Sequence, residues 1–245
     1  MANNCWKFVS PCDLKNYTAI IPSVAIGNVS QLTCDLIISS LKMSKIATMY
    51  TAATIPVIGY DPYALDSNDL STSCELYACN KTKIVVVQLR APLICKYARD
   101  FLNYIVKNFE EHQVKELIIL TSSFAHERKH VMTSPFRYYT NDLYDKKDKL
   151  VELKWLQHEN AGENLKIHGG GFASILFDIC REKIPCLILY KYCSEGDNIP
   201  DAYEMVQHLN LVVTNLFKEK DIASQLIQPI SWKLLFGRPP PIDIY

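Results

Sequence analysis

The chain has 245 residues, 49% apolar and 21% charged, and its 26 basic side chains are matched by 26 acidic ones. Such a length and composition support a substantial core and exclude a disordered chain. The neutral balance argues against a general nucleic-acid binder, which needs cations to displace counterions from phosphates.

The N-terminal MANNCWKFVSP has neither a basic n-region nor an apolar h-region, so no signal peptide is expected, and no apolar run reaches the ~18 residues that span a bilayer. The nine cysteines are odd in number, form no C-x-x-C pair and sit partly inside apolar runs. This reads as free thiols in a reducing compartment, with no disulfide framework and no zinc knuckle.

TAIIP (18–22) reads as a first strand. GNVSQLTCDLIISSLK (27–42) follows as a helix, with Val29, Leu32, Leu36 and Ile37 on one face and Asn28 or Ser30 as N-cap. A strand is predicted over 45–51, then two more, 75–79 and 83–89, around the turn NKTK. YARDFLNYIVKNFEEH places Phe101, Leu102, Ile105, Val106 and Phe109 on one helical stripe. KELIILTSS (115–123), NLKIH (164–168) and PCLILYKY (185–192) read as strands. GFASILFDICRE and DAYEMVQHLNLVVTNLFKE read as helices, and the charged stretch 142–162 as a helix with a surface loop. This alternation predicts an α/β fold: a three-layer sandwich with a mixed, mostly parallel sheet and helices on both faces. Residues 1–230 form a single α/β domain in this reading. Residues 231–245 form an extended tail, because Gly237 and Pro239-Pro240-Pro241 stop a helix and favour polyproline geometry.

Four patterns invite a chemical reading. Gly169-Gly170-Gly171 uses three of only eight glycines between a predicted strand and a helix, where backbone N–H groups can hold a phosphate. No Lys-Ser/Thr follows for a Walker loop, Ser174 breaks G-x-G-x-x-G, and no G-x-S-x-G elbow exists to make His168 part of an esterase. The favoured reading is a structural turn needing positive φ and close approach. His126-Glu127-Arg128-Lys129-His130 matches H-E-x-x-H, with Glu152 as a conceivable third zinc ligand. Two cations inside the motif and Pro135 soon after it favour a charged loop, so no metal is expected. In SEGDNIPDA (194–202), Asp197 or Asn198 reads as a helix cap and Asp201 as an acid in the first turn. YDPYAL and SPFRYY read as aromatic loops of the kind found at interfaces.

PSVAIGNVSQLTCDLIISSLKMSKI, LTSS, TSPFRYY, IHGGGFASILFD, SEGDNIPDA and SWKLLFG, in this order over residues 14–245, resemble the proteasome assembly chaperone 2 family. Ile26 and Ser134 depart from its VGNV and TPFRY patterns. The resemblance implies a fold related to nucleoside phosphorylases, without catalysis or cofactor, in the cytoplasm and nucleus. It also implies a heterodimer with proteasome assembly chaperone 1 that binds α-type proteasome subunits, promotes α-ring formation and blocks aberrant α-ring dimers. Members of the family dock C-terminal tails ending hydrophobic-Tyr-any residue. Here the corresponding partner-binding residues are Ile242, Asp243, Ile244 and Tyr245, with the tyrosine last rather than penultimate. The alternative expectation is a phosphorylase-like enzyme holding phosphate at Gly169–Gly171.

Overall fold

The computed structural model describes residues 4–9, 11–64, 67–159, 165–213, 216–217 and 222–234. Its strands are β1 (Cys5–Phe8), β2 (Thr18–Pro22), β3 (Ser44–Tyr50), β4 (Ile58–Tyr60), β5 (Leu70–Thr72), β6 (Cys74–Cys79), β7 (Ile84–Leu89), β8 (Glu116–Phe124), β9 (Phe136–Thr140) and β10 (Cys186–Cys193). Its α-helices are α1 (Val29–Ser40), α2 (Cys95–Glu111), α3 (Lys147–Glu152), α4 (Ala173–Cys180) and α5 (Ile199–Val212). Eight strands form one sheet in the order β1-β3-β6-β7-β2-β8-β10-β9, and β4 and β5 form a separate ribbon.

The central strands β7, β2, β8 and β10 run parallel, and every residue of β2 and β7 is buried. Burial on both faces is why TAIIP and IVVVQL are near-continuous apolar runs rather than alternating ones. Helices α1 and α5 pack over Ile20, Val86, Ile118 and Leu187 on one face. Helices α2 and α4 cover Ala19, Val85, Leu117 and Ile188 on the other. The predicted α2 stripe is buried as expected, and each such side chain contributes roughly 1.5–3 kcal/mol.

The sheet is mixed, but it is not mostly parallel: its β1/β3, β3/β6, β6/β7 and β10/β9 pairs are antiparallel. A short turn such as Asn80–Lys83, with Lys83 at φ 56°, joins only antiparallel neighbours. The two edge strands are short and polar or aromatic, so β1 was not legible and β9 read as the loop SPFRYY. Conversely, Leu165–Ile167 is not a strand. The place it would need beside β10 is taken by β9, and Leu165 and Ile167 join the apolar layer under α4 instead. The outer edge of β9 is covered in turn, with Tyr138 N donating to Leu156 O and His158 N to Tyr138 O. Helix α5 begins at Ile199, where Asp197 Oδ1 accepts the Ile199 N–H at 3.1 Å. Asp201 does more than sit in the first turn, because it pairs with the largely buried Lys191 at 2.6 Å. Ile230–Leu234 forms a 3-10 turn with Trp232 buried, while the Pro-rich end and Ile242–Tyr245 lie outside the described residues.

Glu116, buried at the start of β8, accepts from Lys146 at 2.6 and 2.7 Å and from Thr18 at 2.7 Å. Lys146→Ala leaves this carboxylate uncompensated and is expected to cost about 3–5 kcal/mol in urea unfolding, whereas a surface change such as Lys107→Ala should cost about 0.5 kcal/mol or less. His208 on α5 stacks on Phe136 at 3.5 Å between centroids and donates from Nδ1 to Glu204 O. Burial lowers its pKa, against the opposing effect of Glu204. A lowered native pKa means the unfolded chain takes the proton first. The associated stability is therefore complete above about pH 6.5 and is lost as pH falls through the native value. The urea midpoint should drop between pH 7.5 and 5.5, and His208→Phe should flatten that drop.

Candidate functional site

In a sheet of this kind ligands ordinarily sit beyond the carboxyl ends of the parallel strands. The glycine turn lies there, tied to residues at the ends of β2 and β8. Ser23, just after β2, donates to Gly170 O at 2.8 Å and accepts the Phe172 N–H at 2.9 Å. Thr121 on β8 also donates to Gly170 O, and Ser123 donates to His168 O. The N–H groups of Gly170 and Ala173 go to Ile167 O and Gly170 O. The donors a phosphate would need at Gly170, Phe172 and Ala173 are thus already spent on protein acceptors. At Gly171, φ is +60° and an added Cβ would stand 2.2 Å from Val24 O. At Gly169, φ is +77° and a Cβ would meet the Phe124 ring at 2.9 Å. Left-handed backbone and close approach both favour glycine at these two positions.

His126 and Glu127 lie in the 3-10 turn Ala125–Glu127, and the chain is extended at Arg128, so no helix sets His126 and His130 one turn apart. Glu127 lies 3.4 Å from His168 and 3.9 Å from His126, and Arg128 donates to Val131 O and Thr133 O. Among the described residues no group of three or more His, Cys, Asp or Glu side chains is arranged to hold a metal ion. The cysteines of the structure are free, and burial pushes the Cys34, Cys74 and Cys186 thiols far up, so they stay protonated.

The conspicuous surface lies elsewhere. Of the fifteen large apolar residues exposed among the described residues, five lie in the β4–β5 ribbon or just before it: Ile55, Val57, Ile58, Tyr60 and Leu70. Ile58↔Thr72 and Tyr60↔Leu70 are cross-strand pairs, so period-two alternation puts Ile58, Tyr60 and Leu70 on the same face of the β4–β5 ribbon. That face is exposed, with Tyr60 83% and Ile58 71% accessible. A concentration of this kind marks an interaction surface.

A buried polar network fixes the ribbon to the sheet. Tyr63, just past β4, donates to Asp35 of α1 at 2.5 Å. Arg90 donates to Tyr63 Oη at 3.0 Å, Ser71 Oγ at 3.2 Å and Asp35 at 3.3 Å. Gln88 donates to Asp35 at 2.6 Å. Glu75 of β6, fully buried, accepts from Ser71, Tyr77, Lys45 and the Thr72 N–H, while Lys45 also donates to Leu70 O. Burial, reinforced by Asp35, pushes the Tyr63 hydroxyl well up, so it remains a donor. Burial is the largest single influence on Arg90 and opposes its charge, but Asp35, Tyr63 and Tyr77 together outweigh it and hold the guanidinium above its usual value. Desolvation makes such networks weak stabilisers, and their effect is to favour one geometry. As a sequence YDPYAL reads as an aromatic loop, which reveals neither the ribbon nor this network. The signal was the turn-rich YDPYALDSNDLS between two short β-prone segments.

Gly171→Ala should lower thermal stability markedly, by about 2–4 kcal/mol, because strained φ and backbone overlap add. Gly59→Ala, whose added Cβ would meet nothing within 4 Å, serves as the control and should change stability little by comparison. Adding phosphate should leave the wild-type melting temperature unchanged.

Comparison with known proteins places these features. Residues 19–223 match the model of the PAC2 family. Proteasome assembly chaperone 2 of Mus musculus is 37% identical over 246 residues, covering 92% of this chain and 93% of the relative. The Homo sapiens protein of that name is 35% identical with the same coverage. Among solved structures, PbaB of Pyrococcus furiosus, described as an archaeal proteasome activator, superposes with a TM-score of 0.66 at 12% identity, over 91% of this chain and 92% of its own. PbaA of the same organism, described as an archaeal homolog of proteasome-assembly chaperone, gives 0.61 at 14% identity, over 89% and 93%. The matched span and the identity to these relatives decide the assignment: the chain belongs to the PAC2 family.

Proposed function

We propose that this chain is a non-catalytic chaperone of core proteasome assembly. It acts as a heterodimer with proteasome assembly chaperone 1, binds α-type subunits, promotes formation of the α ring and blocks aberrant α-ring dimers, in the cytoplasm and nucleus. The observation that carries this reading is the near full-length identity to relatives named proteasome assembly chaperone 2. Two features of the structure agree with a role exercised through contact. Beyond the ends of β2 and β8, Ser23 and Thr121 both donate to Gly170 O of the glycine turn. An apolar edge is exposed. Among the described residues no helix is long and apolar enough to cross a membrane.

The C-terminal residues Ile242, Asp243, Ile244 and Tyr245 serve, in this proposal, as a ligand presented to the α subunits. The stiff spacer Pro239-Pro240-Pro241 loses little entropy on docking. The fold's relation to nucleoside phosphorylases belongs to the same proposal.

Co-expression with proteasome assembly chaperone 1 and α-type subunits, read by native mass spectrometry, should return a heterodimer and its α-subunit complexes. Absence of both would refute the reading. Deleting Ile242–Tyr245 should weaken α-subunit binding by about tenfold, ~1.4 kcal/mol, with heterodimer affinity nearly unchanged. Equal loss of both affinities would remove the tail from its assigned role.

A further inference from the structure

We infer that the outward face of the β4–β5 ribbon, continued through Ile55 and Val57, is the surface on which the second chaperone subunit docks, and that this subunit adds an extended segment to the free edge of β4. The inference rests on the heterodimer proposed above and names its interface.

Backbone alternation supports the strand addition. Asp61 N donates to Asp69 O at 3.1 Å, so Asp61 and Gly59 turn their polar groups toward β5. The N–H and C=O groups of Ile58 and Tyr60 therefore point away from β5, along an edge that no other described strand pairs. An edge that is apolar and unpaired is one that proteins ordinarily blunt with charge or a covering segment. The other end of the main sheet shows such covering, since residues 156–158 lie along β9. The β4 edge shows none among the described residues, and the run Thr54–Tyr60 has no charged side chain.

Apolar character and charge select the occupant. Ile55, Val57, Ile58, Tyr60 and Leu70 are each between 41% and 83% accessible, an apolar centre of the kind a stable interface requires. Persistent subunits meet through apolar, charge-poor surfaces, whereas partners that must be released are matched through more polar ones. The centre of this surface is Ile58 and Tyr60 with no ionic group between them, which fits a permanent subunit better than an α subunit that the chaperone must release. The network of Asp35, Arg90, Tyr63 and Glu75 holds the ribbon in place before binding, which reduces the ordering cost of association.

The test uses the full chain carrying Ile58→Asp and Tyr60→Asp. Both side chains project into solvent, so the variant should keep the wild-type melting temperature and circular dichroism. Its affinity for purified proteasome assembly chaperone 1, read by native mass spectrometry and titration calorimetry, should fall by ~100-fold or more, as for a central aromatic hot spot. Met132→Asp, on a separate exposed loop, should bind as the wild type does. Binding of the double variant to isolated α subunits should stay at the wild-type level. Undiminished heterodimer affinity in the double variant would overturn the inference while leaving the proposed function standing. So would selective loss of α-subunit binding, which would assign this face to the client. Self-association of the wild-type chain alone, abolished in the variant, would overturn it in favour of a second copy. A wild-type chain that forms no heterodimer at all would remove the proposed function together with its interface.

Discussion

Four parallel strands, β7, β2, β8 and β10, have to be covered on both faces, and the arrangement of the molecule follows from that requirement. Parallel neighbours need long crossovers, and the helices of those crossovers, with α5 after β10, do the covering. One consequence is the pair of apolar layers, one under α1 and α5 and one under α2 and α4. Another is a crevice beyond the carboxyl ends of the strands, since every crossover leaves the sheet at that end.

At that end of the sheet the protein's own polar groups meet one another. Ser23 bridges Gly170 O and Phe172 N, Thr121 reinforces the same carbonyl, and Gly171 lies against Val24 with no room for a side chain. The Gly170, Phe172 and Ala173 amides are satisfied within the fold, as burial demands.

The periphery carries the opposite character. At the β4–β5 edge, buried charges lie beneath and apolar side chains lie outside, an inversion of ordinary patterning. Asp35, Glu75 and Arg90 are costly to bury, and a small ribbon has little core of its own to hold it. Their hydrogen bonds to Tyr63, Ser71 and Thr72 supply the missing attachment, so the ribbon presents Ile58 and Tyr60 in a defined orientation.

The central strands, the four long helices and the α/β class were legible in the residues themselves, because burial on both faces or on one stripe leaves a periodic apolar trace. The glycine run left a local signal too, three of the chain's eight glycines together, and Gly169 and Gly171 take the positive φ that glycine favours. Other features had no local trace. β9 is a strand because β10 has a free edge at Phe136–Thr140, and Leu165–Ile167 is not one because that edge is already taken. Asp35, Arg90 and Tyr63 lie far apart in the chain, and only the packing of α1 against β7 and the ribbon brings them together. The apolar identity of Ile58 and Tyr60 was written in the sequence. Their exposure was not, because which face of a two-stranded ribbon meets solvent depends on what lies beneath it, and that is decided by tertiary contacts.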